Sequence, residues 1–308
     1  MNNKNYLLKE QLSVLLGDAN KYFKDNSVFE IIVNADGKVF LKTDKGDQRS
    51  PLEIDEKKRR QIINQIAAFS GNIANTEMPL LAAEFFNMRF QGFLPPASEG
   101  PCFNIRKHIS KVLTLEDYVK TNVMTEYQKD VIIEHINKKQ NIIVAGATYS
   151  GKTTLLNAIL AEIAKTKDRI VMIEKEPELI CLSENKLSLR ATEKISMDML
   201  LKATLRATPD RIIVGEVRGS EALTLLDAWS TGHGGGASTI HANSAKDTIT
   251  RLEQLVARVL DKNVEYVIGQ AVNLIIYIKY IGTTRKVTSI VKVSGYDRKN
   301  DCYILKEL

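Results

Sequence analysis

The sequence predicts an α/β protein of 308 residues in two parts: a smaller α+β domain, then a mostly parallel sheet covered by helices on both faces. Three features predict it. Beyond residue 125, apolar runs of strand length alternate with helical patterns, as in parallel sheets built from crossover units. One of those runs leads directly into a glycine-rich loop and an apolar helix. The first 110 residues instead mix helical patterns with hairpin-like strands, and the chain is longer than one average domain.

Taken in order, residues 6–17 (YLLKEQLSVLLG) place Leu7, Leu8, Leu12, Val14, Leu15 and Leu16 on an apolar helical face that Gly17 stops. Val28–Val33 reads as a strand, Asn34–Gly37 as a hairpin turn and Lys38–Lys42 as the returning strand. Asp55–Phe69 carries Ile62, Ile63, Ile66 and Ala67 at helical spacing. Phe85–Phe93 reads as one strand ending at Pro95-Pro96, and Gly100-Pro101 precedes a short extended piece at Cys102–Ile105. These elements define a domain over 1–110. Residues 111–124, with a helix start at Thr114-Leu115-Glu116-Asp117, are expected to connect it to a second domain over 125–308. There Thr125 caps a helix over Glu126–Lys139. Strands follow at Asn141–Ala145, Arg169–Ile173, Arg211–Gly215 and Ala237–Ile240, then at Val272–Ile278, Val287–Val293 and Tyr303–Leu305.

Composition narrows the class. The chain is 44% hydrophobic and 26% charged, which excludes a disordered or fibrous protein. Cys102, Cys181 and Cys302 are scattered without metal-ligand spacing, which fits a reducing compartment and a cytoplasmic location. No apolar segment for export follows Met1-Asn2-Asn3-Lys4-Asn5. The most apolar run, Leu274–Ile278, falls far short of the roughly 20 residues a bilayer requires. A net charge of +6 reads as a modestly basic soluble surface.

Gly146-Ala147-Thr148-Tyr149-Ser150-Gly151-Lys152-Thr153 matches the phosphate-binding pattern G-x-x-x-x-G-K-[ST]. An apolar strand precedes it and the helical run Thr154–Leu160 follows, the context in which backbone N–H groups converge on a β-phosphate. Gly146 and Gly151 permit the turn, Lys152 supplies charge to the β- and γ-phosphates, and the Thr153 hydroxyl is a ligand for Mg²⁺. Thr148, Ser150 and Thr154 complete the set expected to hold ATP. Tyr149 occupies a position where glycine is commoner, and carries strain if its φ is positive.

Groups acting on a γ-phosphate must sit at the carboxyl ends of neighbouring strands. Arg169–Ile173 delivers Glu174 there, and Arg211–Gly215 delivers Glu216. In Ser230–His241, glycines at 232, 234, 235 and 236 make the chain locally pliable beside His233 and His241. The residues alone leave open whether these histidines meet phosphate or belong to an incidental surface loop.

Together, GATYSGKTT, RIIVGEVRGSEA and STGHGGGASTIHANSA resemble the type II and type IV secretion (traffic) ATPases, and most closely the TrbB-type conjugative-transfer ATPases. DGKVF, FLPPAS, FNIRKH and VSGYD extend the resemblance over nearly the whole chain. It implies a RecA-like P-loop ATPase domain in a ring-shaped, hexameric motor. The motor is expected to serve a membrane-embedded secretion or conjugation machine, peripherally at the inner membrane and without direct nucleic-acid binding. By position, Glu174 matches the catalytic glutamate of the acidic box and Glu216 the Walker B glutamate that orders the metal, with Gly215 in place of the usual aspartate. His241 matches the histidine that senses the γ-phosphate. Arg89 and Arg106 match arginines that reach it, although spacing alone would leave both on the surface. Lys175 stands where the acidic box has aspartate, and is expected to hold Glu174 ionised while drawing it from water. Two other readings stay open: a slow or inactive nucleotide-binding switch, and a DNA-stimulated RecA-like motor.

Overall fold

The computed structural model describes residues 3–43, 46–86, 88–107, 112–259, 264–282 and 284–308. The chain divides into two compact units, Met1–Ser110 and Lys111–Leu308.

The first unit opens with α1 (Asn3–Leu16), which ends where Gly17 takes φ +53, and a short 3-10 turn leads into α2 (Lys21–Lys24). The strands β1 (Val28–Val33), β2 (Lys38–Thr43) and β3 (Gly46–Glu53) precede α3 (Glu56–Ser70). After it come β4 (Leu80–Phe85), β5 (Met88–Phe93) and β6 (Cys102–Lys107). The sheet order is β3-β2-β1-β6-β5-β4, antiparallel throughout. Asp55 caps α3 by accepting from Lys58 N at 2.9 Å, and Gly71 closes it in the left-handed region. Its predicted stripe, Ile62, Ile63, Ile66 and Ala67, is buried with Ile31, Phe90, Phe103 and Ile105. The run 85–93 is not one strand. The chain reverses at Phe86, φ +46, so that Phe85 pairs with Met88. The sequence offers no Asn-Gly or Asp-Gly pair there to announce a hairpin.

The second unit begins with α4 (Leu115–Lys120) and α5 (Glu126–Asn137), each opened by a capping box from Thr114 or Thr125. Residues 112–124 are therefore not a free connection, because Leu115, Tyr118 and Met124 are buried in this unit's core. The elements that follow are β7 (Ile142–Gly146), α6 (Lys152–Ile163), β8 (Ile170–Glu174), β9 (Lys186–Arg190), α7 (Met197–Thr204) and β10 (Arg211–Val214). Then come α8 (Glu221–Ser230), β11 (Ala237–His241), α9 (Ala245–Val256), α10 (Val264–Ala271), β12 (Leu274–Ile281), β13 (Thr284–Asp297) and β14 (Cys302–Glu307). The sheet runs β14-β13-β12-β7-β11-β10-β8-β9, parallel from β12 to β9, with an antiparallel edge of β13 and β14.

Strand alternation accounts for the two helical layers. Along β7, Ile142 and Val144 join the core under α4, α5 and α6, while Ile143 and Ala145 join the core under α8, α9 and α10. Each fully buried aliphatic side chain contributes roughly 1.5–3 kcal/mol relative to exposure, so this central strand is fixed by both layers. Among the described residues, no helix is long and apolar enough to cross a membrane.

Candidate active site

The loop between β7 and α6 is shaped by close approach. A Cβ on Gly146 would lie 2.3 Å from Ile278 O and 2.5 Å from Ser150 Oγ, so no larger residue fits without moving backbone. Gly151 has φ +95 and immediately precedes α6, whose positive N-terminal end faces the loop. Tyr149 has φ +64, the condition under which strain is expected at a tyrosine, and its ring is exposed. Ser150 Oγ is buried with no hydrogen bond, a hydroxyl left over inside the loop. Thr148 is exposed; Thr153 and Thr154, in the first turn of α6, are half-buried. Lys152 Nζ donates to Ala147 O at 2.8 Å and lies 3.3 Å from His241 Nδ1. Burial pushes its ammonium down to about 8, against the pull of Glu216.

Strand register brings the other groups to this loop. His241 ends β11 directly beside Gly146 of β7. Its Nε2 is 2.9 Å from Glu216 Oε1, which is buried and makes no hydrogen bond, so the contact is close but not aligned. Burial, then Lys152, lowers the His241 pKa, which leaves a neutral ring near pH 7. The other Glu216 oxygen pairs with the Arg218 guanidinium. Lys152, His241, Glu216 and Arg218 thus form one continuous polar chain over the loop.

Glu174 ends β8 one strand further out, beside Gly215. A Cβ on Gly215 would lie 3.1 Å from Glu174 Cγ, so the missing side chain at 215 is the space Glu174 occupies. Glu174 Oε1 accepts from Glu178 N at 2.9 Å and Leu179 N at 2.8 Å. Burial pushes its carboxyl up to about 7, opposed by those two N–H groups. This corrects the expectation for Lys175, which is exposed. The charges acting on Glu174 are Glu178 and Arg190, and the carboxyl is half-protonated near neutrality rather than held ionised. The loop after Glu174 is moored by buried Asn157 of α6, which donates to Glu178 O and accepts from Ile180 N.

The glycine-rich segment also differs from expectation. His233 lies before the start of β11 and His241 at its end, so the strand, at about 3.3 Å per residue, separates them. Only His241 belongs to the site. Three of the four glycines are hemmed in rather than pliable: a Cβ on Gly236 would meet Trp229 Nε1 at 2.1 Å and Ile212 O at 2.5 Å, one on Gly235 Arg211 Nη1 at 2.8 Å and one on Gly234 Lys139 O at 3.0 Å, while Gly232 has open space around it. Beside them, buried Arg211 pairs with Asp168 at 2.7 Å and donates to Gly235 O and Ile136 O, each at 3.1 Å. Arg89 and Arg106 belong to the first unit, half-buried and directly opposite each other on β5 and β6.

Sequence reading missed Arg218, Asn157 and Glu221. Glu221 Oε1 accepts from Arg218 N at 2.8 Å and Gly219 N at 2.9 Å, fixing the turn that carries Arg218. A basic residue two positions past a strand-end glutamate was the available signal for the first.

A family profile for type II/IV secretion system proteins matches residues 75–290. The chain belongs to that family. It is 42% identical to the conjugal transfer protein TrbB of Rhizobium radiobacter over 94% of this chain and 88% of that one. It is 28% identical to the type IV secretion system protein VirB11 of Bartonella quintana, covering 76% and 78%. The fold superimposes on the ATPase DotB of Legionella pneumophila with TM-score 0.64 at 19% identity, covering 88% and 77%. A complete phosphate loop within a TrbB-type member of this secretion family makes the chain a nucleotide-binding ATPase.

Proposed function

We propose that this TrbB-type protein hydrolyses ATP as one subunit of a hexameric ring that powers a type IV secretion or conjugation machine, peripherally at the cytoplasmic face of the inner membrane. One observation carries the catalytic part: Lys152, His241 and Glu216 are joined over a loop shaped for phosphate, with Glu174 on the next strand but one from His241.

In this reading the loop amides, the Ser150 hydroxyl and Lys152 bind the β- and γ-phosphates, with Thr148 and Thr154 flanking them. Glu174, when ionised, holds and deprotonates the attacking water. Neutral His241 reports the γ-phosphate to Glu216 through their contact. Arg89 and Arg106, a guanidinium pair by strand register, are assigned to the γ-phosphate oxygens, to which a planar fork is matched. The donor set suits Mg²⁺, since Thr153 offers a hydroxyl and Glu216 a buried carboxylate oxygen without a hydrogen bond. That ion would neutralise charge on the β- and γ-oxygens. The domain division behind this reading is 1–110 and the remainder of the chain. Purified protein should release phosphate from ATP with Mg²⁺, and Lys152→Ala should not. Equal rates would end the reading. Sizing with and without an ATP analogue tests the ring.

A slow nucleotide switch has one observation in its favour: Glu174 is clamped by two N–H groups and half-protonated near pH 7. Tight ATP binding without phosphate release would select it.

A further inference from the structure

The sheet order bears on the half of the nucleotide that the acids do not touch. β8, β10 and β11, which deliver Glu174, Glu216 and His241, all lie on one side of β7. A γ-phosphate facing those groups leaves the nucleoside to depart in the other direction, toward β12. Here the chain crowds the phosphate loop, with Ile278 O against Gly146 and the Ile278 side chain toward Gly151. Two residues on, and so on the same face of the strand, Tyr280 is 47% exposed.

Arg285 of β13 pairs with Tyr280 in register, and its guanidinium lies 5.0 Å from the centre of the tyrosine ring. The same side chain runs along the loop, where a methyl group on Gly151 would lie 3.0 Å from Arg285 Cδ and 3.2 Å from Nε. Nε is buried and makes no hydrogen bond. A purely structural role, stapling the β12–β13 hairpin by a cation–π contact, accounts for the tyrosine. It does not account for the approach to Gly151, nor for an N–H desolvated at a cost with nothing gained.

We propose that Tyr280 and Arg285 form the base-side wall of the nucleotide site. The purine stacks on their joined flat surfaces, and Arg285 Nε donates to a ribose oxygen. An exposed aromatic ring and a planar cation both offer a face to a base; a guanidinium also pairs with phosphate oxygens, so a bare phosphate chain is the control that separates stacking from charge. The inference rests on the phosphate-loop reading above.

The two fail separately when calorimetry is run on the full chain with two ligands, ATP and inorganic tripolyphosphate, each with Mg²⁺. Arg285→Ala is expected to weaken ATP about tenfold, in the range of a stacked cation, and to leave tripolyphosphate within about twofold. Arg285→Lys should behave like alanine because it lacks the flat face, Tyr280→Ala should weaken ATP in the same sense, and Tyr280→Phe should not. Both positions are at an exposed hairpin, and unchanged urea unfolding of Arg285→Lys keeps a folding defect apart from lost contact. Undiminished ATP affinity in Arg285→Ala and Arg285→Lys, or equal loss for both ligands, overturns the wall while a non-binding Lys152→Ala leaves the phosphate loop standing. If Lys152→Ala binds both ligands as the parent does, the loop reading falls and the wall with it.

Discussion

Replacing Glu174 by glutamine should stabilise the protein at pH 8 and not at pH 5, while stopping turnover. The carboxyl's ordinary value is 4.5 and burial pushes it up to about 7, so between those values the native state holds a proton that the unfolded chain has released. Stability therefore falls as pH rises from 4.5 to 7, the reverse of a salt-bridged carboxylate. Above pH 7 the ionised form is carried at full cost. A displacement from 4.5 to about 7 corresponds to at most about 3–4 kcal/mol at roughly 1.4 kcal/mol per pH unit, and partial solvent access brings it to about 2 kcal/mol. Glutamine keeps an oxygen to accept from Glu178 N and Leu179 N but never ionises. Urea unfolding should show near parity at pH 5 and a gain of about 2 kcal/mol at pH 8, roughly 4–8 °C in Tm for a unit of this size. In the parent protein the same titration predicts that kcat/KM for MgATP climbs about tenfold from pH 6 to 8, with its midpoint near 7. A glutamine variant no more stable than the parent at pH 8, or a rate already flat at pH 6, would refute this account of Glu174.

Gly236→Ala should cost about 3 kcal/mol or more in urea unfolding, since its Cβ would overlap Trp229 Nε1 and a strand carbonyl that cannot retreat. Arg211→Met should cost about 3–5 kcal/mol by stripping Asp168 of its buried partner, and adding Asp168→Asn should recover part of that loss. Arg218→Ala should change stability by less than about 0.5 kcal/mol, because its side chain is 63% exposed. It should nonetheless lower kcat about tenfold by releasing Glu216, and Arg218→Lys should restore part of the rate.

What the sequence made legible, and what it hid, divides along a physical line. Groups placed by strand direction were readable: three apolar residues aim Glu216, and the same logic places Glu174 at the end of β8, whereas His241 was placed only by the family resemblance. The phosphate loop was readable because its glycines answer to local backbone demands, shown by the clashes any side chain at 146 would make. Contacts between segments distant in sequence were not. Arg211 meets Asp168 across 43 residues and Gly235 across 24, so neither the buried pair nor the true task of the glycine-rich segment had a local signature. His233 and His241 looked alike in sequence, and only the course of β11 separates them. Residues 112–124 read as a connection because their helix is short, yet Leu115 and Tyr118 anchor it in a core assembled from remote strands. The environment of Glu174 was misread for a related reason, since a neighbour in sequence, Lys175, weighs less than burial.

The central claim is that one triphosphate is gripped by residues 146–153 while Glu174, Glu216 and His241 face its γ end. A crystal structure of the protein with Mg²⁺ and a non-hydrolysable ATP analogue measures this directly. The β-phosphate should lie within hydrogen-bonding distance of the loop amides and of Lys152 Nζ, with the γ-phosphate on the β11 side of β7. Nucleotide bound elsewhere, or a γ-phosphate pointing toward β12, would contradict it.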